Sequence, residues 1–362
     1  MLGHWVSAAR KSLYLNKKTK VRVWCTVSLS CLIMPTVSRL VSILGATAVL
    51  VALALPVAAQ QTLPSGWLSV AGGQIPKVLR VTPSLPTLAA SDEGATVRVI
   101  DVSRVVAGGD DVIDIMEALG LGHYVFAAPE SAVTQAGRKA PHHFLFNRTT
   151  GVEGVLSLGG TVFIGNSLRR HAKLAETLRR TGLPSVVIDD LQPAPQKIRK
   201  LAAVFGLPAE GETLAKTVEQ QMDTAAAIGR QLPRKARVIH VSATGGGGKP
   251  TVGGKDTAAA QLIRLAGGIN IGDEASTGDY TALSNEGVVA AAPDIVLLTS
   301  NDLELLGGEA GLWRSYPTLR QTPAGQANRV WVMPDEQLKM VGTHSGACAI
   351  ALAQALKAFV SK

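Results

Sequence analysis

An α/β fold of two similar lobes joined by a long helix is what this sequence predicts, on three observations. Short apolar runs alternate with helical stretches twice over, from Arg98 to Ile188 and again from Val238 to Phe359. Between the two blocks lies a helical stretch, Pro195 to Leu232, interrupted once at Gly206 and Pro208. The blocks also echo each other: "GVEGVLSLGGTVFIG" and "SNEGVVAAAPDIVLLT" each place a Glu-led short helix before a buried strand.

The elements follow in order. Val97 to Val102 reads as an apolar strand, and Asp110-Asp111 can cap a helix from Val112 to Leu119 that Gly120 ends. Tyr124 to Ala127 is a strand, Val152 to Leu158 a short helix and Val162 to Ile164 a strand. His171 to Arg180 is helical, closed by Gly182 and Pro184, and Ser185 to Ile188 is the next strand. In the long stretch Leu214, Val218, Met222, Ala225 and Ile228 form one apolar stripe. The rhythm restarts with a strand at Val238 to Val241, a glycine loop at Gly245 to Gly248, and a helix from Thr257 to Leu265 closed by Gly267-Gly268. A short helix at Ser284 to Ala291, strands at Ile295 to Leu298 and Val330 to Met333, and an Ala-rich helix from Gly346 to Phe359 complete it. The expected division is a leader over 1–59, a linker with a short strand or two over 60–95, an N-terminal lobe over 96–192, a linking helical segment over 193–233 and a C-terminal lobe over 234–362.

With 362 residues the chain exceeds one ordinary domain, and 46 % hydrophobic against 17 % charged residues excludes a disordered chain. The net charge of +9 does not indicate a nucleic-acid partner: seven of the 36 cations and none of the 27 acids precede residue 60, so the remainder carries 29 cations against 27 acids. That leader has Arg39, an apolar run from Leu40 to Leu55, Pro56 and the small-x-small exit Val57-Ala58-Ala59, the pattern of a secretion signal; a membrane anchor of similar length is the alternative. Translation from Met1 or from Met34 both fit. Cys25 and Cys31 lie in the leader, leaving Cys348 without an intramolecular disulfide partner.

No catalytic set emerges. "GGGGKPTVGGK" lacks the Ser or Thr that must follow the Lys of a phosphate loop, since Pro250 follows Lys249. There is no G-x-S-x-G, H-E-x-x-H or Cys-x-x-Cys, so the expectation is a protein that is not an enzyme and has no intrinsic cofactor.

The second block carries "TAAAQLIRLAGGINI", then "DYTALSNEGVVAAAPDIVLLT", then "TPAGQANRVWVM". In this order and spacing the run resembles the haemin-binding subfamily of periplasmic solute-binding proteins of iron-chelate ABC importers. The resemblance implies two Rossmann-like lobes on a helical backbone (class III), and capture of haem in the cleft between them for delivery to a membrane permease and its ATPase. It implies a monomer in the periplasm that binds a small molecule and no nucleic acid. A binding protein for a ferric siderophore or cobalamin, and an envelope interaction protein with a decayed site, are the alternatives; a metal-cluster enzyme of similar two-lobe build is disfavoured by the single Cys348.

The resemblance also implies roles. Glu153 and Glu286, each heading its short helix, match the acids that dock onto permease arginines. Where the family has a Tyr-Pro pair this chain has "PESAVTQAG" without Tyr, and His142 and His143 in "APHHFLFNR" are the substitute candidates for iron ligation. Arg148 and Tyr280 match positions near the cleft, the Arg fork suiting a propionate. His344 in "VGTHSG" stands where the family has Arg, and Lys249 on the glycine loop is a further candidate for acidic ligand groups.

Overall fold

The computed structural model describes residues 63–77, 81–146, 150–243, 251–274, 278–282 and 284–362; the expected leader, Arg148, Lys249 and the loop Gly245 to Gly248 lie outside the described residues. Ahead of the alternation come β1 (Leu68–Ser69), β2 (Thr87–Ala90) and β3 (Thr96–Val99). The first lobe then runs β4 (Val105–Ala107), α1 (Asp110–Ala118), β5 (Val125–Pro129), α2 (Gln135–Lys139), β6 (His142–Phe144), α3 (Val152–Ser157), β7 (Val162–Gly165), α4 (Leu168–Arg180) and β8 (Ser185–Val187). Two helices follow, α5 (Ala194–Val204) and α6 (Pro208–Arg230). The second lobe runs β9 (Arg237–Ser242), β10 (Thr251–Gly253), α7 (Ala258–Leu265), β11 (Ile269–Asn270), α8 (Ile271–Glu274), β12 (Tyr280–Thr281), α9 (Asn285–Ala291) and β13 (Ile295–Thr299), then α10 (Ser300–Leu306), α11 (Gly308–Ser315), α12 (Pro323–Gln326), β14 (Val330–Met333), α13 (Asp335–Leu338) and α14 (Ser345–Val360).

The first-lobe sheet has the order β6-β5-β4-β7-β8, and all its pairings are parallel. Val105, Val106 and Ala107 of β4 are wholly buried, as a strand covered on both faces requires. Winding reverses at β4, and such a switch point opens a crevice beyond the C-terminal ends of the strands. The run from Val97, expected as the first strand of this sheet, instead forms half of an antiparallel hairpin, Val97 opposite Ala89. The physical sign is its alternation: Val97 and Val99 are buried while Thr96 and Arg98 are exposed, so one face is wet.

In the second lobe the path is β1-β14-β13-β9-β10-β12, with β11 also on β9. The pairings through β9 are parallel, whereas β10 and β12 add antiparallel ribbons. The segment expected as a linker thus supplies an edge strand, Leu68 pairing with Trp331. Trp67 beside it is buried and donates its Nε1–H to Asn328 Oδ1 at 3.2 Å.

Helix α6 belongs to both cores. Leu214, Ala215 and Val218 enter the core of the first lobe, while Ala225 enters that of the second with Ile228 packed against it. One helix therefore has its two halves anchored in different lobes, a link expected to limit swing between them. Where α6 meets the turn after α7, Gly267 takes φ +89°, and a Cβ on Gly229 would lie 2.9 Å from Gly267 Cα. Among the described residues no helix is long and apolar enough to cross a membrane.

Candidate functional site

The crevice at the switch point opens into a cleft of about 530 Å³ lined by both lobes. On the first-lobe side it begins where β4 ends: a Cβ on Gly109 would sit 2.0 Å from Asn166 Nδ2, so only glycine lets the turn close onto the residues after β7. Asp110 and Asp111 follow at the start of α1. Asp110 Oδ1 accepts from Val133 N and Thr134 Oγ1, each at 3.1 Å, yet burial raises its carboxyl above the usual range. Asp111 accepts from Asn166 Nδ2 at 2.7 Å and from the ammonium of Lys197, a side chain only 1 % exposed. Lys197 also donates to the Val341 carbonyl at 2.7 Å, so this buried charge ties the first lobe to the segment ahead of α14.

Around the start of α4 lie Arg169, Arg170 and Asp190. Burial, with the Asp111 charge nearby, pushes the Asp190 carboxyl up to about 6 despite Arg170 at 3.2 Å. His171, one residue further, is wholly buried and accepts from Asn166 N at 3.1 Å; burial holds it down at about 4, hence neutral. The apolar part of the wall comes from Phe144, Leu145 and Phe146, at and just beyond the end of β6, with the two Phe rings 5.1 Å apart.

The second lobe contributes Asp256 and Thr257 at the start of α7, Asp279 and Tyr280 at β12, and Asp335 and Lys339 at α13. Behind Tyr280 sits His240 of β9, fully buried, its ring 5.7 Å from the phenol ring. Burial, then the Lys339 charge, hold His240 at about 3, so it stays neutral, and burial pushes the Tyr280 phenol up. Burial alone would raise Asp302; the Lys339 ammonium 2.7 Å away outweighs it and holds the carboxyl below its usual value.

Of the residues named from sequence, the structure brings Tyr280 into the wall. It does not bring in His142, His143 or His344. His142 opens β6 opposite Ala127, with its ring edge-on to Phe126, and His143 Nε2 lies 3.0 Å from the Gly137 carbonyl. The reason is strand direction: the cleft is at the C-terminal end of β6, where Phe144 to Phe146 stand, and the histidines come earlier. His344 lies at the start of α14 with Nδ1 2.7 Å from Asp114 Oδ1, in the junction between lobes. Burial there would lower its pKa, but Asp114 outweighs this and raises it above 6.5. Sequence reading missed Arg169, Arg170, Asp190 and Lys339. The available signal was position, since each of the first three lies in the segment that comes after a parallel strand of the first lobe, β7 for the arginines and β8 for Asp190.

Glu153 and Glu286 lie apart from the cleft wall. Both are exposed in the first turn of a short helix, α3 before β7 and α9 before β13.

The profile of a periplasmic binding protein family matches residues 105–337. The periplasmic haem-binding protein RhuT from Roseiflexus sp. RS-1, in its apo form, is 32 % identical over 71 % of this chain and 98 % of its own, with a TM-score of 0.63. The periplasmic haem-binding protein BhuT, in complex with two haems, is 25 % identical over 70 % of this chain and 98 % of its own, with a TM-score of 0.59. The haem-binding protein HutB of Vibrio cholerae shares the fold at 24 % identity, covering 72 % of this chain and all of its own, with a TM-score of 0.55. No curated protein matches the chain in sequence. With two α/β lobes on a helical rod, a cleft between them and a family profile that spans both lobes, the chain belongs to the periplasmic binding protein family.

Proposed function

We propose that the chain captures haem in the cleft between its lobes and presents it to the membrane permease of an ATP-driven importer. The observation that carries this reading is the make-up of the wall: Tyr280 from one lobe and the apolar run Phe144, Leu145 and Phe146 from the other, in a chain 32 % identical to the haem-binding RhuT. A phenol oxygen is a ligand haem iron takes, and an apolar wall suits the face of a porphyrin. Tyr280 is the favoured iron ligand, Arg148 and Lys249 are the candidates for the ligand's acidic groups, and His142 and His143 stand off the wall. Residues 96–192 and 234–362 are the two lobes, 193–233 the link and 60–95 the lead-in. Residues 1–59 act as an export leader, placing a monomer in the periplasm. Glu153 and Glu286, exposed on equivalent helices, dock onto the two halves of the permease, whose ATPase drives release. The chain performs capture and hand-over without chemistry of its own.

Titration with haemin tests the reading. Wild-type protein is expected to shift and sharpen the Soret band to saturation, and Tyr280→Phe, which keeps the ring and removes the oxygen, is expected to move the band and weaken binding. Absence of any Soret change with wild-type protein overturns it. The acid excess of the wall favours a second reading, a neutral or cationic chelate such as a ferric siderophore or cobalamin; saturation by one of these and not by haemin selects it.

A further inference from the structure

Among the described residues that line the cleft, seven are Asp or Glu and three are Arg or Lys. Among the described residues, those three are the cations that a ligand carboxylate can meet in the cleft. Two are committed. Lys339 is held by Asp302, 2.7 Å away and wholly buried, with Asp335 at 3.9 Å. Arg170 is tied to Asp190 at 3.2 Å and Asn166 at 3.4 Å. Arg169 behaves differently. From α4 of the first lobe it reaches across to Asp279 of the second, 3.3 Å away, and both side chains are 55 % exposed. Exposed pairs of this kind hold weakly and exchange readily.

A second observation comes from the helix itself. Arg169 and Arg170 occupy the first turn of the 13-residue α4, where acidic side chains are absent. The positive end of a helix disfavours cations and favours anions, so two arginines there run against local preference. Local rules broken beside a cleft point to a role in binding.

We propose that Arg169 is the receptor for a ligand carboxylate and that Asp279 is its placeholder in the empty cleft. Without ligand the pair bridges the lobes beside Tyr280. An arriving carboxylate takes the place of Asp279 on the guanidinium, whose fork can grip both of its oxygens. Ligand binding thus exchanges one carboxylate for another, and the bridge between lobes passes from Asp279 to the ligand. The proposal rests on the haem reading, since the two propionates of haem are the carboxylates in question.

The test compares haemin with haemin dimethyl ester, whose propionates are uncharged, on wild-type protein, Arg169→Ala and Asp279→Asn. Both side chains are exposed, and matched thermal unfolding confirms that the variants fold. Arg169→Ala is expected to weaken haemin about tenfold and to leave the diester unchanged. Asp279→Asn is expected to bind haemin several-fold more tightly, because it frees Arg169 and removes a negative charge from the wall. Unchanged haemin affinity in Arg169→Ala, equal losses for haemin and diester, or weaker haemin binding by Asp279→Asn each overturn the proposal while the haem reading stands. Failure of wild-type protein to bind haemin at all overturns the haem reading first, and this proposal with it.

Discussion

The carboxylate of Asp114, in α1 of the first lobe, accepts hydrogen bonds from both the main-chain N–H of Thr343, at 2.7 Å, and its hydroxyl, at 2.9 Å. Thr343 is wholly buried and Asp114 only 4 % exposed, although the two are more than two hundred positions apart in the chain. Together with Lys197 between Asp111 and the Val341 carbonyl, they form a buried polar seam between the lobes. Removing one partner from such a pair leaves a buried acceptor short of a donor. Thr343→Val, nearly the same in shape, is expected to lower stability by about 2 kcal/mol, read from the midpoint of urea unfolding. A change within measurement error would mean that the Thr343 hydroxyl adds nothing to the seam.

His344 makes the same seam sensitive to pH. Its folded-state pKa lies above the ordinary 6.5 because the pull of Asp114 outweighs burial; Glu336 and Glu117 add to it. A base whose pKa rises on folding contributes stability that is fully present below the unfolded value and is lost as pH rises through the folded one. Wild-type protein is therefore expected to lose thermal stability, relative to His344→Gln, as pH climbs upward from about 6.5. His171 titrates the other way: its pKa falls to about 4 on burial, so its contribution is lost as pH falls below 6.5, in wild type and variant alike. A constant offset between the two proteins from pH 6 to pH 9 would show that the ion pair does not form.

Much of this architecture was legible in the sequence because it rests on local patterns. The interruption of the helical link at Gly206 and Pro208 is where α5 ends and α6 begins, and the stripe from Leu214 to Ile228 is its buried face. What escaped was set by pairing. The strand Val105–Ala107 is three residues long, too short for periodicity to announce, and its role at the centre of the first sheet depends on neighbours far along the chain. The cleft escaped for the same reason: Arg169 and Asp279 are separated by 110 positions and meet only because two lobes face each other. Tyr280 was legible through its resemblance to a family position. The histidines drew attention by residue type, and a displacement of two or three residues along β6 decides that Phe144 to Phe146 line the cleft instead.

Gly229 gives a direct measure of how closely α6 is seated. Alanine is the better helix former by about 1 kcal/mol, so Gly229→Ala would stabilise an isolated helix. Here the added Cβ would meet Gly267 Cα and N at 2.9 Å, both main-chain atoms of a tight turn. Overpacking of this kind costs about 1–3 kcal/mol, and backbone on the far side makes the upper part of that range apply. Net destabilisation of about 1–2 kcal/mol is expected by chemical unfolding. A stabilised variant would show that α6 is free to move off the second lobe, and with it the argument for limited swing would fail.

If Glu153 and Glu286 dock onto the permease as proposed, the repetition of the lobes gives the two acids equal weight. Glu153 and Glu286 are exposed, lie in the first turns of α3 and α9, and precede the corresponding strands β7 and β13. Neither lines the cleft, so charge reversal at either should leave haemin titration unchanged. Docking onto a permease of two like halves should suffer nearly equally from Glu153→Arg and Glu286→Arg, about tenfold each, the equivalent of ~1.4 kcal/mol. The double variant should lose about the product of the two, because acids on separate lobes that share no partner act independently. Haem uptake by vesicles carrying the permease and its ATPase, measured at rising concentrations of the binding protein, gives the comparison. Raised salt should narrow the gap between wild type and variants, since the lost contacts are exposed charges. Should one reversal abolish uptake and the other leave it intact, the two helices do not perform equivalent roles, and docking through matched acids would be excluded.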